Sequence, residues 1–164
     1  ELARGAYIPK AEPLILIGHP GLGKTHIASG LALAAARLGY KVRFYNAAAL
    51  VNEMLQWQEK NQLPRFLAQT LKYQLLVIDE LGFIPFSELG GQLMFQFCST
   101  VYERVALIVT TNLQFGDWNQ VFGNERLTGA LLDRLTDRAK IVEFVGESFR
   151  LRKTLKQKTR LEVA

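Results

Sequence analysis

Residues Leu14 to Thr25, reading LILIGHPGLGKT, constrain this chain more than any other stretch. Four apolar residues run uninterrupted into Gly18, and an alanine- and leucine-rich segment follows Thr25. That order predicts a buried strand, a tight glycine loop and a helix, with G-x-x-x-x-G-K-T across the loop. Glycines at 18, 21 and 23 allow backbone angles that a Cβ would obstruct, so successive N–H groups can turn inward around phosphate oxygens. The following helix adds free N–H groups and the positive end of its dipole. Lys24 is then placed to reach β- and γ-phosphates, and the Thr25 hydroxyl to hold Mg²⁺. A glycine-rich turn that binds nothing is the competing reading. It is disfavoured because every fixed position of the pattern is present between a strand and a helix. The expected ligand is a nucleoside triphosphate, held by Gly18, Pro20, Gly21, Leu22, Gly23, Lys24, Thr25 and His26.

With 164 residues, 49% of them hydrophobic, the chain has enough material for one domain with a proper core. No segment is long and apolar enough to span a membrane, and no signal-peptide pattern opens the chain. The single cysteine, Cys98, lies in an apolar segment and leaves no disulfide framework or metal cluster, which fits a reducing cytosol. The chain starts at Glu1 rather than a methionine, so an upstream portion is expected. The net charge of +5 is unevenly spread. Arg150, Arg152, Lys153, Lys156, Lys158 and Arg160 fall in a run without an acid, whereas the rest of the chain carries 14 basic against 15 acidic residues. Such a run can contact nucleic acid or remain a solvated tail.

Strand and helix signals alternate along the chain. Residues 1–13, with Pro9 and Pro13, read as a linker. A helix is predicted from Lys24 to Gly39 on the spacing of Ile27, Leu31, Ala35 and Leu38, and a strand over KVRFYN (41–46). Ala47–Glu59 reads as a helix with Leu50, Val51, Met54 and Leu55 on one face. Pro64 breaks the pattern before a short helix over 65–72. QLLVID (74–79) is a third strand, and 88–103 a helix carrying Leu89, Leu93, Phe97 and Val101. VALIVTT (105–111) is a fourth strand, 127–138 a helix and IVEF (141–144) a fifth strand. Apolar strands alternating with helices imply an α/β fold with a five-stranded parallel sheet flanked by helices. Ligands of such sheets lie at the carboxyl ends of the strands.

Two strand-end groups and one helical pair stand out. Asp79-Glu80 closes the third strand: Asp79 is suited to hold Mg²⁺ through water, and Glu80 to polarise an attacking water. Asn112 follows the fourth strand and can orient water beside a γ-phosphate without adding charge, although Asn is also common in turns. Arg134 and Arg138, four apart on one predicted helix, can stabilise charge on a transferred phosphoryl group, including one held by a neighbouring subunit. They can equally complement a helix C-terminus.

Taken together, GHPGLGKTH, LLVIDELGFIPF, IVTTNLQF, LLDRLTDR and GESFRLR resemble, in order and spacing, the IstB-like transposition helper ATPases. These are relatives of the DnaC helicase loaders within the AAA+ superfamily. The resemblance covers Leu14 to Arg152. It implies a P-loop NTPase with an AAA+ core over 14–146 and a basic tail or lid remnant over 147–164, the helical lid being largely absent. It also implies Walker A at Gly18–Thr25, Walker B at Asp79-Glu80, sensor 1 at Asn112 and an arginine finger at Arg134. Arg150 becomes the candidate for a second sensor, and an upstream DNA-binding domain is expected. The resemblance further places a DNA-lining helix within Ala47–Leu63, with Asn52, Gln56, Lys60 and Arg65 as contacts and Trp57 packing or stacking. From the residues alone, that segment reads equally as an amphipathic helix pair on the sheet. Asp137-Arg138 departs from many IstB-like chains and looks more like DnaC.

The implied activity is Mg²⁺-dependent ATP hydrolysis in the cytoplasm by a self-assembling ring or spiral. It would form on DNA, duplex favoured over single-stranded, and recruit or activate a transposase. A DnaC-like helicase loader is the alternative. A small-molecule kinase is disfavoured by the lack of an arginine-rich mobile lid, and a GTPase by the lack of an NKxD motif.

Overall fold

The computed structural model describes residues 1–150 and 152–153. Five strands, β1 (Leu14–Gly18), β2 (Val42–Asn46), β3 (Leu75–Leu81), β4 (Ala106–Thr111) and β5 (Lys140–Phe144), form one sheet in the order β2-β3-β4-β1-β5. Every pairing is parallel. β1, β3 and β4 are apolar on both faces because helices cover both, as the uninterrupted apolar runs require. One face packs Leu14, Leu16, Leu75, Val77, Ala106 and Ile108 against α1 (Lys24–Arg37). The opposite face packs Ile15, Leu76, Ile78, Leu107 and Val109 against α2 (Ala47–Glu59), α3 (Leu63–Thr70), α4 (Glu88–Val101), α5 (Asn119–Phe122) and α6 (Glu125–Thr136). No described helix is long and apolar enough to cross a membrane.

Several local expectations shift. Residues 1–13 do not run free as a connecting linker: Tyr7 and Ile8 are buried beside α1, and Lys140 N–H donates to the Pro13 carbonyl. In α1 the inward stripe is Lys24, Ala28, Leu31 and Ala35, leaving Ile27 and Leu38 exposed. An alanine-rich helix offers little contrast between its faces, so apolar spacing placed Leu31 and Ala35 correctly but Ile27 and Leu38 on the wrong side. Leu89 is likewise exposed while Leu93, Phe97 and Val101 are buried. The break expected at Pro64 separates α2 from α3, and Pro64 itself lies in the first turn of α3, where its missing N–H is not needed. Between β4 and α6, where the sequence shows no clear element, a 3₁₀ turn and α5 bury Trp118, Val121 and Phe122. The largest change is at the end of α6. Asp137 terminates the helix and Arg138 takes a left-handed conformation (φ 54°), so Arg134 and Arg138 do not share a helix face.

Candidate nucleotide site

The loop between β1 and α1 wraps as its glycines predict: Gly21 and Gly23 lie at φ 83° and 91°, and Gly23 is the N-cap of α1. A Cβ on Gly18 would lie 2.5 Å from the Phe144 carbonyl oxygen, because β1 and β5 pair at that position. Lys24 is only 9% exposed, and its ammonium donates to the carbonyls of Gly18 (2.6 Å) and His19 (2.8 Å). Burial lowers its pKa, Asp79 opposes that shift and Arg150 adds to it. The ammonium is thus turned back on the loop's own carbonyls, which compete poorly with a polyphosphate for a charge.

Asp79 is buried at the end of β3 and accepts from two hydroxyls, Thr25 Oγ1 (3.0 Å) and Thr110 Oγ1 (2.5 Å). The Thr25–Asp79 pair is the oxygen set that a hard divalent ion takes when phosphates supply further ligands. Among the described residues, no cluster of three or more His, Cys, Asp or Glu could hold a metal alone. The Thr25 and Asp79 oxygens fit magnesium brought with a triphosphate.

Just beyond, β3 is irregular: its register with β4 shifts between Ile78 and Leu81, and Glu80 sits at φ 60°. The bulge turns the Glu80 side chain outward while its N–H donates to Thr110 Oγ1 (2.9 Å). Glu80 Oε2 accepts from Asn46 Nδ2 (3.0 Å), and Asn46 Oδ1 accepts from the N–H groups of Ala48 and Ala49 as the N-cap of α2. Asn46 reaches Glu80 because β2 pairs with β3 in the register Asn46↔Asp79. Thr110 and Asn46 escaped the sequence reading. Thr110 lies near the end of a recognised strand and was within reach, whereas Asn46 needed the strand pairing.

A cavity of about 630 Å³ collects most of the expected set: Pro20, Gly21, Leu22, Gly23, Lys24, Thr25, His26, Glu80 and Asn112. Arg150, the candidate second sensor, lines it too; the cavity adds Phe83, Thr110, Thr111 and Phe149, and its size suits a nucleotide. Asn112 Oδ1 is buried with no hydrogen-bond partner among the described residues, which marks a place for a ligand or water atom.

Other expected residues lie elsewhere. Arg134 and Arg138 line a shallow depression with Tyr102, Asp133, Thr136 and Asp137. Arg134 stacks its guanidinium over Phe95 (4.7 Å to the centroid) and donates to Ser99 Oγ; Arg138 pairs with Glu103 (3.6 Å). Asn52, Gln56, Lys60 and Arg65 are exposed on the outer side of α2 and α3. Trp57 instead packs on Phe66, 5.8 Å between centroids, so it belongs to the core's margin rather than to a stacking surface. Of the basic run, Lys156, Lys158 and Arg160 lie outside the described residues.

The family described as IstB-like ATP binding protein matches residues 1–157. A protein named for ATP binding in insertion sequence IS21 of Pseudomonas aeruginosa is 35% identical over 95% of this chain and 59% of its own length. Its counterpart in IS5376 of Geobacillus stearothermophilus is also 35% identical, over 93% of this chain and 61% of its own length. The chain therefore spans about three fifths of these curated relatives. Among solved structures, the DnaC helicase loader superposes with a TM-score of 0.73 at 20% identity, covering 88% of this chain and 84% of that one. DnaA bound to AMPPCP and single-stranded DNA gives 0.71 at 21% identity, covering 95% of this chain and 49% of that one. At such identity the likeness shows the shared P-loop fold alone.

Proposed function

The chain belongs to the IstB-like ATP-binding family of insertion sequences, and from that premise we propose that it is a Mg²⁺-dependent ATPase that assembles on DNA as a transposition helper. The observation that carries the reading is the cavity joining Lys24, Thr25, Glu80 and Asn112 at the carboxyl ends of β1, β3 and β4, with Asp79 beneath Thr25. Lys24 exchanges its two loop carbonyls for β- and γ-phosphate oxygens. Thr25 and Asp79 would hold magnesium, which would neutralise phosphate charge. Glu80, once clear of Asn46, takes a proton from the attacking water. That water's oxygen bonds to the γ-phosphorus as the bridging oxygen leaves with ADP, giving ADP and phosphate. Asn112 Oδ1 accepts from that water.

Arg134 lies outside its own chain's cavity, which suits a finger offered to the nucleotide of a neighbouring subunit. Asn52 and Gln56 on the exposed side of α2 and Lys60 at its C-cap are spaced four apart, and with Arg65 supply polar contacts to a DNA backbone. The partner recruited is a transposase. Asp137-Arg138 favours the second reading, a helicase loader.

Sedimentation of the full-length protein with duplex DNA, single-stranded DNA or neither, in ATP or ADP, tests this, with phosphate release measured in parallel and Lys24→Ala as control. ATP-dependent assembly on duplex that Lys24→Ala abolishes is the expected result. Assembly on single strands alone would transfer the reading to a loader. No phosphate release under any condition would remove the ATPase.

A further inference from the structure

The cavity has two ends, and the sheet order tells them apart. β3 and β4 lie on one side of β1 and bring Glu80, Thr111 and Asn112, the groups suited to the γ-phosphate. β5 lies on the other side. The chain leaving β5 turns back over the phosphate loop: Phe149 N–H donates to the Gly21 carbonyl (3.0 Å), and Ser148 sits so close that a Cβ on Gly21 would collide with it. A triphosphate whose reacting end faces Glu80 must carry its nucleoside away from β3, toward this β5 side.

Phe149 is the ring found there. It lines the cavity although it is 68% exposed, and it belongs to neither of the two core clusters. Its backbone is pinned to the loop while its face is left open. The other exposed phenyl ring of the cavity, Phe83, shares a second small cavity with Asn46, Ala48, Glu80 and Ile84, which puts it at the phosphoryl end.

We propose that Phe149 is the nucleobase platform of this site, stacking on the base of a purine nucleoside triphosphate and tying base recognition to the loop through Gly21. This rests on the reading of the cavity as a triphosphate site. Stacking on an aromatic face tolerates any base but rewards the larger ring system, so purines are preferred over pyrimidines.

The test is calorimetric titration of the full chain with ATP, CTP and inorganic tripolyphosphate, for wild type, Phe149→Ala, Phe149→Trp and Phe83→Ala. Phe149→Ala should weaken ATP by about 10- to 100-fold and erase the preference over CTP while leaving tripolyphosphate unchanged. Phe149→Trp should keep ATP affinity. An equal loss for ATP and tripolyphosphate would overturn the proposal, because the residue would then act through the loop's shape. So would unchanged ATP binding in Phe149→Ala, or loss of the purine preference in Phe83→Ala instead. A wild-type chain that binds neither ATP nor tripolyphosphate would overturn the triphosphate site itself.

Discussion

Asn46 uses both ends of its amide: the oxygen caps α2 and the nitrogen holds Glu80. Two substitutions separate these jobs. Asn46→Ala removes both, so it should cost about 0.5–2 kcal/mol of stability and raise ATP hydrolysis measured without DNA, by releasing Glu80. Asn46→Asp keeps an oxygen for the cap and should melt close to wild type. It also places a second carboxylate beside Glu80, so the acid limb of the pH–rate profile should move to higher pH. Unchanged profiles in both variants would mean that the Asn46–Glu80 bond does not restrain the reaction.

Cys98 shows the same dependence on surroundings. Burial pushes its thiol from 9.0 up to about 12, with Arg134 a smaller opposing influence. The unfolded thiol ionises first, so the folded chain holds one more proton between those values. Stability is therefore unaffected below pH 9 and falls above it, by about 1.4 kcal/mol per pH unit from this group. Cys98→Ala should flatten that slope between pH 9 and 10 in urea unfolding, and the native thiol should resist thiol reagents at pH 8.

At the scale of elements, α4 and α6 are tied by the Arg134 guanidinium over Phe95 and onto Ser99. A planar, stacked cation is poorly replaced by an ammonium, so Arg134→Lys should lose the tie while keeping the charge. For Arg134→Ala we expect unaltered ATP affinity, since the residue is outside its own cavity. Its hydrolysis in the assembled state should drop by about 10³–10⁵ if the residue serves a neighbour's nucleotide. Titration and steady-state kinetics decide it; weakened ATP binding would instead assign Arg134 to its own subunit's site. α2 carries a different lesson. Its limits, Ala47–Glu59, were readable because the apolar face Leu50, Val51 and Met54 is inward as its spacing demands. α1 was readable in extent but not in orientation, since alanine fills both of its faces.

Across the whole molecule, the edge strand β5 decides how the nucleotide loop is closed. β5 pairs with β1 along its length, and the pairing ends where Gly18 meets Phe144. Gly18→Ala inserts a methyl against the Phe144 carbonyl, so β5 or the loop must move. We expect a loss of about 1–3 kcal/mol in stability together with weaker ATP binding. Gly23→Ala meets no atom within 4 Å and faces only the strain of φ 91°. It should disturb the loop without loosening β5, and hydrogen exchange across 140–149 distinguishes the two variants.

Contiguous residues determined the fold class, the order of the five strands and of every helix longer than one turn, and the phosphate loop, but not the 3₁₀ turn and α5 between β4 and α6. A buried parallel strand is an apolar run, and a loop that cradles phosphate needs its glycines and lysine at fixed short spacing. Neither requirement depends on distant parts of the chain. Only the tertiary structure decided which side chains meet. Strand pairing brings Asn46 to Glu80, a bulge turns Glu80 outward, and the end of α6 separates Arg138 from Arg134. The return of the chain after β5 sets Phe149 over Gly21. These contacts join residues many positions apart, and periodicity along one segment carries no information about the register of another.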